Sequence, residues 1–171
     1  MTSELDTLLA KQALYELSCQ YMRGLDRTDP ALLRSVFFDD AYCEYGFING
    51  GPDDFVEYAI TALQGHEMNQ HMIGNALFDI EGDEAFGEVY FNAYHKIKGV
   101  AGFEDIIIAV RYLVRYEKRA GQWKMAYRSE RVDWSRTQPT NDPYFEMAPD
   151  TLLGARLDDA VYDRDARRKT S

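Results

Sequence analysis

Cysteine is almost absent. Cys19 and Cys43 are the only two in 171 residues, and they form neither a CxxC pair nor a dense framework, so no disulfide scaffold is expected. Histidine is nearly as scarce, at three, and none of the spacings matches HxxxH or HExxH, so no metal site is expected. A Gly-rich phosphate loop is missing too, since Gly51-Pro52 reads as turn chemistry, and no cofactor is implied. No apolar run approaches the ~18 residues that span a bilayer, and the first residues are acidic with no apolar signal core. Positive charge is in deficit, with 19 Lys and Arg against 29 Asp and Glu for a net charge of -10, which repels phosphate backbones and anionic lipid. Nucleic acid and membrane are therefore not expected as partners, and a reduced, cytoplasmic setting is.

Apolar side chains, by contrast, are plentiful. Hydrophobic residues are 46% of the chain and aromatics 13%, enough to bury a core and to line an apolar cavity. One domain is expected at this length, with no internal repeat.

Leu5, Leu8, Leu9, Leu14, Leu17, Tyr21 and Leu25 recur at helical spacings and predict a long first helix, stopped by Gly24 and the Asp26 to Pro30 run. Asp29-Pro30 is an N-cap followed by proline, opening a short helix through Leu32, Leu33, Val36 and Phe37. Asp39-Asp40 breaks that pattern, after which Ala41, Cys43, Tyr45 and Phe47 alternate as a strand. A third helix is predicted over 53–63. Four strands follow, over 68–80, 85–98, 103–119 and 122–134, separated by Gly-containing turns. Residues 1–136 thus read as one α+β domain, a curved mixed or antiparallel sheet wrapped around N-terminal helices. Residues 137–171 read as an extension that partly covers the pocket or a neighbouring subunit, with a charged end that reads as a solvated tail or a frayed helix.

Within this pattern His71 is the candidate base, because imidazole can take a proton at neutral pH without metal or cofactor. A lone strand histidine is more often a satisfied structural group, so a partner has to be found. Asp26, at the end of the first helix, is the candidate: a carboxylate on one ring nitrogen fixes the tautomer and raises the basicity of the other. Period two puts Cys43, Tyr45 and Phe47 on one face of the first strand, with Tyr45 as a donor, and puts Glu130 on the face of Arg128. Alternation does not decide which face Arg111 takes.

Several passages carry a family resemblance. Tyr21-Met-Arg-Gly-Leu-Asp26, Gln70-His71-Met72, Arg115-Tyr-Glu-Lys-Arg-Ala-Gly-Gln-Trp123-Lys and Val132-Asp133-Trp134-Ser135-Arg136 resemble, in that order, the aspartate helix, histidine strand, last hairpin and strand end of the SnoaL-like branch of the nuclear transport factor 2-like superfamily. The similarity spans about residues 5–136. It implies a cone-shaped fold enclosing an apolar pocket. In motif the chain is similar to the bile-acid 7α-dehydratases, hexachlorocyclohexane dehydrochlorinases, scytalone dehydratases and diarylpropane γ-formaldehyde lyases of that superfamily.

The resemblance implies a cofactor-independent lyase acting on a hydrophobic small-molecule alcohol, with His71 and Asp26 as its base. It makes Tyr21 a donor to a leaving group and Arg128 a stabiliser of developing negative charge. It also places Val89, Phe91, Ala93 and His95 on the cavity side, although Ala93 stands where the bile-acid enzymes carry an aspartate. Glu130 is a further departure from the simple relatives. A homo-oligomer is implied, a trimer before a dimer. The alternatives are a ketosteroid-isomerase-like isomerase with the same dyad, and a non-catalytic binding or assembly module in which the dyad is a satisfied polar pair.

Overall fold

The computed structural model describes residues 3–168. Ser3 opens the chain as an N-cap: its hydroxyl accepts from the Asp6 amide at 3.1 Å while the Asp6 carboxylate accepts from the Ser3 amide at 3.2 Å. Helix α1 (Glu4–Asp26) buries Leu14, Leu17, Ser18, Tyr21, Met22 and Leu25 along one stripe. Leu5, Leu8 and Leu9, which the periodicity counts with that stripe, stay 58–64% exposed.

Gly24 does not stop the helix. It lets the next helix approach, since a Cβ there would lie 2.9 Å from Leu33 Cα, closer than any packing allows. The helix continues to Asp26 and closes with Asp29 N–H donating to Gly24 O at 2.9 Å, across Thr28 held at φ 47°. Helix α2 (Pro30–Ser35) starts as expected, with the Asp29 carboxylate accepting from Leu32 N at 2.9 Å.

Strand β1 (Phe37–Glu44) begins earlier than the alternation suggests, because Asp39 and Asp40 are accommodated in an irregularity between the Phe37 and Tyr42 pairings. Arg34 holds Asp39 and Arg119 holds Asp40. The strand also ends earlier, at Glu44, where the Asn49 side-chain oxygen accepts from the amides of Tyr45 and Gly46 at 3.0 Å each. Phe47 therefore sits on a turn and is 63% exposed; it does not share the buried face of Cys43 and Tyr45.

A two-residue strand β2 (Asn49–Gly50) leads into helix α3 (Pro52–Gln64). Four long strands follow: β3 (Met68–Glu81), β4 (Glu84–Lys98), β5 (Phe103–Arg119) and β6 (Gln122–Pro139). The sheet order is β2-β1-β6-β5-β4-β3, and β1 runs parallel to β6 while the remaining pairs are antiparallel. The result is the expected α+β cone, a curved mixed sheet with the N-terminal helices in its concave face.

β6 runs five residues past Trp134 because β5 offers a pairing edge as far as Glu104, which faces Pro139. Irregularities at 74–75 in β3 and near 126 and 133 in β6 shift the alternation. They let Ile73 and Ala76, and likewise Met125 and Arg128, pack inward although a strict period of two would separate them. The extension has one helical turn, α4 (Tyr144–Met147), and a 3-10 turn at Ala166–Arg168. Tyr144 and Met147 remain exposed, at 57% and 74%. Lys169 and beyond lie outside the described residues.

Candidate active site

Strand β3 is an edge of the sheet, so backbone donors on its outer side have no ladder partner. Asp26, delivered by the end of α1, takes one of them: the His71 amide donates to Oδ1 at 3.0 Å and to Oδ2 at 3.2 Å. The imidazole closes the same arrangement, with His71 Nδ1 to Asp26 Oδ1 at 2.8 Å. The carboxylate is thus held on two sides by one residue, and Nδ1 is committed as a donor. That leaves Nε2 as the nitrogen able to take a proton. A groove of about 510 Å³ lies here, lined among others by Asp26, His71, Met22, Ile73 and Val161.

Asn69, two residues before His71, was not marked by the sequence. Its amide nitrogen donates to Asp26 Oδ1 at 3.2 Å and toward Leu25 O at 3.4 Å. Its position was readable, since residues i and i+2 of a strand share a face; its hydrogen bonding was not.

The three histidines, scattered in sequence, gather in space. His95 on β4 faces the His71 ring at 5.3 Å between centroids, and its Nδ1 lies 3.2 Å from Nδ1 of His66, which follows α3. Burial depresses His95 to about 3, with His71 and His66 adding to the effect, and burial likewise lowers His66. His95 is therefore a neutral hydrogen-bonding group at neutral pH. Among the described residues no group of three or more His, Cys, Asp or Glu is placed to hold a metal ion.

From His71 a line of aromatic contacts crosses the interior. Phe91 lies 6.0 Å from the imidazole and stacks on Tyr112 at 4.2 Å, and Tyr112 covers the Arg128 guanidinium at 3.5 Å. Tyr21 packs on the guanidinium too, at 3.6 Å, with its ring at 73° to that of Tyr112. Arg128 is fully buried on β6, and among the described residues no carboxylate lies in ion-pair contact with it. Nη1 reaches Met125 Sδ at 3.3 Å, while Nε and Nη2 have no partner among the described residues. A cation packed against two rings, with two donors left unpartnered among the described residues, suits an oxygen or halide that gains negative charge.

Tyr21 and Tyr45 share a hydroxyl contact of 2.7 Å. Burial pushes Tyr21 up to about 12 and raises Tyr45 and Tyr112 as well, so all three remain phenols at neutral pH. Glu130 shares the interior with Arg128; burial raises it, partly offset by Arg128 and His71. Val89, Phe91 and Ala93 are buried on β4. Cys43 is buried as well, and burial raises its thiol to about 11, so it stays a neutral thiol at neutral pH.

Arg111 does not join this cluster. It lies on the opposite face of the sheet, where it donates to Glu88 at 2.9 Å and to Asp133 at 3.0 Å and stacks on Tyr90. Tyr112, its neighbour, is the residue that faces inward; the contiguous isoleucines 106–108 hid the phase of the strand. Arg156, on the extension, also touches the site, donating to Asp26 O at 3.0 Å and to Asn69 Oδ1. No local sequence signal points to it.

Comparison with known proteins agrees with this architecture. Hexachlorocyclohexane dehydrochlorinase 1 of Sphingobium indicum is 27% identical over 128 residues, covering 72% of this chain and 82% of that enzyme. The crystal structure of a type-3 hexachlorocyclohexane dehydrochlorinase from Novosphingobium barchaimii superposes with a TM-score of 0.69 at 25% identity, covering 80% of this chain and 94% of the other. A scytalone dehydratase-like protein of Novosphingobium aromaticivorans superposes with a TM-score of 0.67 at 19% identity, covering 89% and 95%, and shows the fold alone. No described helix is long and apolar enough to cross a membrane. The model of the SnoaL-like domain matches residues 6–129, and the chain belongs to that family, within the nuclear transport factor 2-like superfamily.

Proposed function

We propose that the protein is a cofactor-independent lyase that eliminates water or formaldehyde from a hydrophobic, aromatic or polycyclic alcohol. The observation that carries this reading is the 2.8 Å contact of His71 Nδ1 with an Asp26 carboxylate that the His71 amide also holds. His71 Nε2 removes a proton from carbon, the C–H electrons form the new double bond, and the hydroxyl departs with its bonding pair. Tyr21 or Tyr45 protonates the departing oxygen, and Arg128 stabilises the negative charge that develops.

A diol follows the same logic with a different first step. His71 deprotonates a primary hydroxyl, the adjacent C–C bond breaks to give formaldehyde, its electrons form the alkene, and a second hydroxyl leaves as water. Relationship to dehydrochlorinases supports elimination chemistry. The buried rings of Phe91, Tyr112, Tyr21 and Tyr45 support a flat apolar substrate.

Glu130 favours one competing reading. A carboxyl held up by burial near His71 could return the proton to another carbon, which is isomerisation. Incubating the protein with lignin-derived diols and steroid alcohols, followed by mass spectrometry and formaldehyde detection, separates these. Loss of the mass of water, or loss of formaldehyde together with water and detection of free formaldehyde, supports the lyase. A mass-neutral product contradicts it, and binding without turnover assigns the chain to the non-catalytic class.

A further inference from the structure

Arg156 lies beyond the family-matched segment, yet it sits where three elements of the site converge. Nη1 donates to Asp26 O at the end of α1 and to the Asn69 side-chain oxygen on β3, and Nη2 donates to Leu63 O and His66 O, both at 3.2 Å, after the last turns of α3. It thus caps the carbonyl ends of two helices, where a cation is favoured. The segment around it is anchored separately. Arg27 donates to Ala155 O at 2.5 Å and to Asp159 at 2.9 Å, and Tyr162 donates to Asp29 at 2.8 Å.

The Asn69 contact has chemical content beyond packing. A carboxamide offers donors at one end and an acceptor at the other, and it can present either end by rotating half a turn. Guanidinium is donor-only, so it accepts just one of the two orientations, the one with the Asn69 oxygen toward Arg156. The Asn69 amino group is then forced toward Asp26, where it donates to Oδ1 at 3.2 Å. In the reverse orientation Asn69 would set an oxygen against that carboxylate and push it away from His71.

We propose that Arg156 is a positioning residue for the Asp26–His71 pair: through Asn69 it fixes the carboxylate so that His71 carries its proton on Nδ1 and keeps Nε2 bare. The role extends the site to the C-terminal extension, whose Gly154 and Val161 line the groove beside His71. It rests on the reading of that pair as the working base.

The test is ring-nitrogen NMR of His71 in the full-length protein, above the pH at which the ring is charged, with no substrate present. His71→Gln identifies the signals among the three histidines. The wild type should show a protonated Nδ1 and a bare Nε2. Arg156→Leu and Asn69→Leu should each move the two nitrogen shifts toward the tautomer mixture of free imidazole, and the double variant should move them no further than either alone. Wild-type shifts in a folded Arg156→Leu or in Asn69→Leu would overturn the proposal, as would additive effects in the double variant. Asn69→Leu leaves the contacts of the extension to α1 and α3 in place, so wild-type shifts in that variant overturn the proposal even if Arg156→Leu fails to fold, and Arg156→Lys, which keeps the charge but loses the fork of donors, should then give the Arg156→Leu result. Because no turnover is read, failure of every screened alcohol would count against the lyase and leave this relay standing.

Discussion

His95 should make the protein acid-sensitive through burial of its ring. Its folded value is about 3, against about 6.5 in an unfolded chain, because burial disfavours the imidazolium and the other two histidines repel it. The unfolded state therefore binds the extra proton first. The neutral ring's contribution is fully present above pH ~6.5 and is lost progressively as the pH falls toward 3. With these values the loss between pH 7 and pH 5 is about 2 kcal/mol, and it approaches an upper bound of about 5 kcal/mol below pH 3. Urea unfolding of the wild type and of His95→Gln at both pH values reads this directly, since glutamine keeps a hydrogen-bonding group toward His66 without titrating. The wild type should lose about 2 kcal/mol more than the variant over that interval. Equal losses would show that His95 accepts a proton in place, and the burial argument would fail.

Gly24→Ala should destabilise by about 1–3 kcal/mol despite the better helix propensity of alanine, because its Cβ would meet the Leu33 backbone at 2.9 Å; a thermal melt at or above the wild-type Tm would refute that close approach. Arg128→Met should leave stability unchanged or raise it by up to ~2 kcal/mol, since a buried cation with two unpartnered nitrogens is replaced by an apolar chain, while turnover disappears. A loss of more than about 3 kcal/mol on urea unfolding would make Arg128 a structural residue. The outer sheet face carries Leu77, Phe86, Leu113 and Tyr127 around a depression of about 520 Å³, and covering it with further copies of the chain is the expected use. Sedimentation equilibrium should give a trimer, and a monomer at micromolar concentration would contradict it.

Local chemistry made much of the fold legible. The Asp29-Pro30 start and the Gly-marked hairpins depend on neighbours within a few residues, and there sequence and structure agree closely. Legibility failed where a strand's phase changes. The irregularities at 74–75, near 126 and near 133 cannot be seen in a pattern of alternating side chains, and contiguous isoleucines hid that Tyr112, not Arg111, faces inward. Phe47 was misplaced because the Asn49 side chain ends β1 three residues earlier than its alternation suggests. Asp26 and His71 could be paired in advance because the family resemblance supplies their order. Asn69, His66 and Arg156 could not, since each acts through a contact across many residues that no spacing encodes.

The central claim is that His71, oriented by Asp26, is the base of an elimination. The most direct measurement is the turnover rate of wild type, His71→Gln and Asp26→Asn on the first alcohol that yields product, with circular dichroism confirming the fold of each. The account predicts that His71→Gln lowers kcat by about 10²–10⁴-fold with little change in KM, and that Asp26→Asn follows in the same direction. Turnover by His71→Gln within a few-fold of wild type would contradict it.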